Sequence, residues 1–131
     1  MTIRLAFAAI LVATPAAAQS TASLPGVADQ ETTIPPGSIS QYHRGNGDVL
    51  FVLDRTGRWY RVGLNEGCLS SSPRIHSLAF QHRGGSQRVD RFTTVLIDPV
   101  GGAFRTTCAI DSIRRSEAPP QINSKSPVTL D

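Results

Sequence analysis

The sequence predicts an all-β fold: a small antiparallel β-sandwich or partly open barrel of about five to six strands, closed by one disulfide. Three observations predict it. Short β-prone runs recur about every 8–12 residues with Gly- and Pro-containing turns between them. No stretch beyond residue 18 keeps a 3.6-residue apolar period over ten residues. Finally, two cysteines, Cys68 and Cys108, sit in a chain whose N-terminus points to an oxidising compartment.

That N-terminus reads "MTIRLAFAAILVATPAAA". One cation, Arg4, precedes an apolar run over 5–13, which Thr14 and Pro15 break before a small-residue A-x-A. This order is that of a secretory signal peptide spanning 1–18, cut after Ala18. The run is about nine residues, against about twenty for a membrane-spanning helix, so no span is expected in the mature chain. No Cys follows the cut, which argues against a lipid-modified terminus, and the Ala-rich form is of the bacterial type. The expected location is the periplasm or the medium.

Of the thirteen Lys and Arg, Arg4 leaves with the signal, so twelve cations face ten acids. A surplus that small gives no argument for nucleic acid. Lys125 is the sole lysine. Arginine makes forked hydrogen bonds and stacks on aromatic rings, which keeps an anionic partner open.

Residues 19–37 and 116–131 are rich in Ser, Thr, Pro and Gly and lack apolar periodicity. They read as a flexible N-terminal segment and a disordered C-terminal tail, around an all-β domain at 38–115. "SISQYHR" is a candidate edge strand, and "GDVLFVLD" and "RWYRVGL" flank the turn "DRTG" as a hairpin. "RIHSLAFQH" follows. After "RGGS" comes "QRVDRFTTVLID", the longest β-prone run, and after "PVGG" the chain returns as "AFRTTCAIDSI". A core this small commonly needs a staple. A Cys68–Cys108 bond would pin the loop at 65–74 to the last strand; a free nucleophilic Cys, or a metal site borrowing His76 or His82, is the competing reading.

Candidate site residues centre on the hairpin. Strand alternation puts Trp59, Arg61 and Gly63 on one face and Arg58, Tyr60, Val62 and Leu64 on the other, more apolar one. Trp59 with Arg58 and Arg61 is therefore the candidate ligand site, for an anion or a sugar ring held by stacking and forked hydrogen bonds. The competing reading packs Trp59 under a loop, capped by an arginine. His76 and His82 are roughly 20 Å apart at strand rise, too far for one metal ion, so neither metal nor cofactor is expected. G-x-S-x-G, H-E-x-x-H and phosphate-cradling glycine loops are missing from the sequence. The expected function is a non-catalytic binding or interaction module for an envelope protein or an anionic small ligand. The alternative is a small enzyme acting on an anionic substrate and using Arg58, Arg61 and an Asp such as Asp90.

The order "GRWYR", Cys68, "SLAF", "DRF", Cys108 and "IDSI" resembles a family of small exported proteobacterial proteins of unknown function. The resemblance covers about 47–115 and brings no activity or cofactor. It implies that Gly57, Trp59, Tyr60, Cys68, Asp90, Phe92 and Cys108 fit a shared structural pattern. Some such proteins carry a lipidated Cys after the signal; this chain has none.

Overall fold

The computed structural model describes residues 24–70, 72, 74–101 and 104–119. The expected signal peptide, its cut and the chain beyond 119 lie outside them. Seven antiparallel strands form one curled half-barrel sheet, with no helix among the described residues. The strands are β1 (Val27–Glu31), β2 (Ile39–Arg44), β3 (Val49–Asp54), β4 (Trp59–Leu64), β5 (Ile75–Gln81), β6 (Thr94–Pro99) and β7 (Thr106–Ser116). Their order is β2-β3-β4-β7-β6-β5, with β1 on β7. The all-β fold and the single disulfide follow the sequence expectation.

The hairpin β3–β4 is built as the pattern dictates. Val52, Tyr60, Val62 and Leu64 turn inward and are buried. They meet Leu50, Val95, Ile97, Ile110 and Ile113 in the main core. Its turn requires Gly57, which holds φ at +82°, where a Cβ would be strained.

β7 organises the rest. One of its edges pairs with β4 from Ile110 to Ser116, and Asn65 extends that contact by bonding Ala109 in both directions. The other edge is shared: β6 takes Thr106 to Ala109, and β1 takes Arg114 and Ser116.

β1 departs from expectation, because 27–31 lies inside the segment read as flexible. Its side chains are mostly exposed, so it carries no apolar pattern to betray it. Backbone bonds hold it instead, with Thr32 N donating to Ile113 O at 2.8 Å and Glu117 N to Gly26 O at 2.8 Å. Ile34, fully buried, then bridges Val89 and fills the core. β7 likewise runs one residue past the expected domain end at 115. The long run at 87–98 is split. Asp90 Oδ1 accepts from Phe92 N and from the Thr93 hydroxyl, forming a turn before β6 begins.

The loop after β4 is tied down from several sides. Cys68 bonds Cys108, their Cα atoms 5.9 Å apart. Asp48 accepts from Gly67 N and Leu69 N, both at 2.7 Å. Arg44 donates to the carbonyls of Leu69 and Ser72. Leu69 is thereby held fully buried.

The outer face of the sheet carries a second, smaller cluster of Val49 and Phe51 with Trp59 against it. Gly45 makes that cluster possible. A Cβ there would lie 2.9 Å from Phe51 Cε2 and 3.0 Å from Val49 Cγ1. Gly45→Ala is expected to destabilise the fold by about 1–3 kcal/mol through overpacking, measured by urea unfolding. An unchanged midpoint would show that Phe51 yields freely.

Candidate functional site

Strand register sets one row of side chains across the outer face. His43 opposes Phe51, Phe51 opposes Arg61, Arg61 opposes Arg114, and Arg114 opposes Glu31. Directly opposed residues of an antiparallel pair have Cβ atoms about 4.5–5.5 Å apart, and like charges so placed repel. The half-buried Arg61 and Arg114 are thus cross-strand neighbours of like charge, a pair that an anion would relieve, with Glu31 on the far side of Arg114. Among the described residues, Arg114 Nε and Ser116 Oγ are buried without a hydrogen-bond partner.

Trp59 sits beside this row, opposite Ser116 on β7. It is half-buried, packed on the Val49–Phe51 cluster. The His43 ring lies 5.5 Å from it, tilted by 46°. The two competing readings of Trp59 thus each describe part of it: one side rests on a minor apolar cluster, and the residue keeps some exposure. Next to Phe51 and Ser116 is a cavity of about 120 Å³ walled by Pro25, Val27, Glu117 and Pro119. The exposed Glu31 is the carboxylate nearest in register.

The expected site residues separate. Trp59 and Arg61 share the outer face, as alternation requires. Arg58 is exposed beside the turn, and the structure uses its main chain: Arg58 N donates to Asp54 Oδ1 at 2.9 Å and its carbonyl accepts from Asp54 N. Arg114 takes its place as the second cation on the Trp59 face. Sequence reasoning missed it because only the pairing of β4 with β7, about fifty residues apart, reveals the contact. Spacing within β7, where Arg114 alternates with the buried Ile113, was the available signal.

The hairpin's acid has a structural task. Asp54, 2 % exposed, accepts from Thr56 N at 2.8 Å, Thr56 Oγ1 at 2.6 Å, Arg58 N at 2.9 Å and Tyr60 OH at 3.3 Å. Burial pushes its pKa up, and the bonds from Thr56, Arg58 and Tyr60 outweigh that and hold it below the ordinary carboxylate range. Arg115 completes the network, donating to Tyr60 OH at 3.1 Å with its guanidinium carbon 5.4 Å from the ring centroid.

Asp90 lies elsewhere, in a cavity of about 360 Å³ lined also by Glu31, Thr33, Arg91, Phe92 and Ile113. Arg58 and Arg61 do not line it, and Asp90 Oδ1 is occupied by its own turn. His82 Nδ1 is 3.0 Å from the Arg88 carbonyl, and His76 is exposed on β5. Among the described residues no group of three or more His, Cys, Asp or Glu is placed to hold a metal ion, and no helix is long and apolar enough to cross a membrane. Comparison with family models, curated proteins and solved structures finds no match for this chain.

Proposed function

We propose that the protein is a non-catalytic binding module of the periplasm or extracellular space, and that its outer sheet face takes an anionic ligand. The observation that carries this reading is the opposition of Arg61 and Arg114 beside Trp59 and His43. Two arginines in register place two positive charges beside one carboxylate or phosphate, and the tilted Trp59–His43 pair offers an aromatic wall for a flat or ring-shaped body. The disulfide is in keeping with an oxidising compartment, and the N-terminal pattern supplies the export route. The proteobacterial family resemblance belongs to the same proposal. An enzymatic reading gains less support: the buried carboxylate, Asp54, is held ionised by its donors rather than poised to give up a proton.

Trp59 is the only tryptophan, so its fluorescence reports on this face directly. Titration with pyrophosphate and with D-galacturonate is expected to give a saturable change with at least one of them. Arg61→Ala and Arg114→Ala should each weaken that binding about tenfold, the equivalent of one charge-assisted hydrogen bond. Raising the salt should weaken it further. No saturable response to either probe, or variants that both bind as tightly as the natural protein, would overturn the reading.

A further inference from the structure

The curled sheet stops short of closure, and the two strands at its ends are β2 and β5. Among the described residues, every partly buried apolar side chain packed on the main core comes from one of these edges: Ile39 and Tyr42 from β2, and Ile75, Leu78 and Phe80 from β5. Interior side chains on an edge strand lack a neighbour on one side, so the seam between the edges is apolar and incompletely covered. At one end of it, where Ile39 and Phe80 both contribute, lies a cavity of about 250 Å³.

Its lining divides by chemistry. Ile39, Phe80 and the buried Val89 form the apolar wall, while Arg55, His82 and Gln87 supply the polar side. Among the described residues no Asp or Glu contributes to it. Arg55 is fixed there by its backbone, whose N–H donates to Ser38 O at 2.6 Å. Its guanidinium has no hydrogen-bond or ion-pair partner among the described residues. The Arg88 carbonyl orients the His82 ring by accepting from Nδ1–H. Trp59, Arg61 and Arg114 take no part in the lining, so this is a place apart from the outer face.

We infer that this cavity binds a small monocarboxylic acid with an apolar body. The carboxylate meets the Arg55 fork, with the Gln87 amide as a neutral donor. The apolar body enters the seam between Ile39, Phe80 and Val89, where it covers surface that the missing closure leaves exposed. The volume is below the about 300–1,000 Å³ of sites for drug-sized ligands. At about 30 Å³ per water molecule, it suits a ligand on the order of ten non-hydrogen atoms.

The test is calorimetric and NMR titration of the intact protein with hexanoate and phenylacetate, with hexanol and acetate as the two halves of the same chemistry. Hexanoate or phenylacetate is expected to saturate the protein and to shift the resonances of Arg55, Phe80 and Val89. Hexanol and acetate should each bind at least about tenfold more weakly. Arg55→Ala should cost hexanoate about tenfold in affinity, Arg55→Lys less, and neither should move the melting temperature, because the side chain is exposed. Arg114→Ala should leave hexanoate binding and the seam shifts unchanged. Hexanol binding as tightly as hexanoate, no seam shifts with either acid, or a loss caused by Arg114→Ala and not Arg55→Ala would each overturn the inference. The last outcome would move the acid to the outer face.

Discussion

Reducing the Cys68–Cys108 bond is expected to cost about 4 kcal/mol, the loop-closure entropy restored to the unfolded chain when forty residues are released. A domain of this size has about 5–15 kcal/mol in total, so the reduced protein should be close to unfolding. At about 4–8 °C per kcal/mol for a domain of 60–100 residues, the melting temperature should drop by roughly 15–30 °C. Circular dichroism melts with and without a thiol reductant measure this without altering a side chain. The size of the drop carries information beyond the bond. Asp48, Arg44 and Asn65 also tie the loop that bears Cys68. A loss below about 1 kcal/mol would show that those hydrogen bonds hold the loop unaided. A Cys68→Ala/Cys108→Ala variant should lose somewhat more than the reduced protein, because both sulfurs are buried and alanine leaves a void.

Replacing Asp54 should have the next largest effect. Asp54→Ala removes the acceptor for Thr56, Arg58 and Tyr60 at once and leaves the buried Tyr60 hydroxyl with Arg115 alone. With about 1–3 kcal/mol for each buried group left unsatisfied, and with water free to reach the turn, a loss of about 2–4 kcal/mol is expected in urea unfolding. Asp54→Asn keeps the shape but not the charge and should cost less. Because the folded carboxyl is held below its ordinary pKa, the unfolded chain takes up a proton first as the pH falls. The contribution of Asp54 is therefore fully present above roughly pH 4 and is lost as the pH drops through the folded value. The stability gap between the natural protein and Asp54→Asn should be widest at neutral pH and close in acid. A gap independent of pH would mean that shape, not charge, is what the turn needs.

Much of this fold was legible because its central hairpin is written in local signals. "VLFVLD" and "RWYRVGL" are dense in apolar residues on either side of a glycine turn, and alternation alone places Tyr60, Val62 and Leu64 inward. The two cysteines were legible for a different reason: with only two present, pairing needed no choice of partner. β1 was not, since a strand held by its backbone leaves no trace in side-chain pattern. Nor was the burial of Asp54, which depends on a tyrosine six residues on and an arginine more than fifty beyond that. Trp59 and Arg61 could be assigned a common face from their spacing, whereas Arg114 joins them only through long-range register. The seam cavity was invisible from sequence, because it arises where two strands fail to meet.

The position of β7 also dictates the order in which the domain can assemble. β2, β3 and β4 are joined by short turns and can pair as the chain is made. β1 and the second edge of β4 must wait for the last strand, and Cys68 cannot find its partner until that strand arrives. Folding led by such distant contacts is slow, on the order of milliseconds to seconds for small β proteins. Until β7 docks, β4 keeps an open edge that another chain can occupy. The interval between emergence and docking is thus the period in which this protein is most in need of a chaperone.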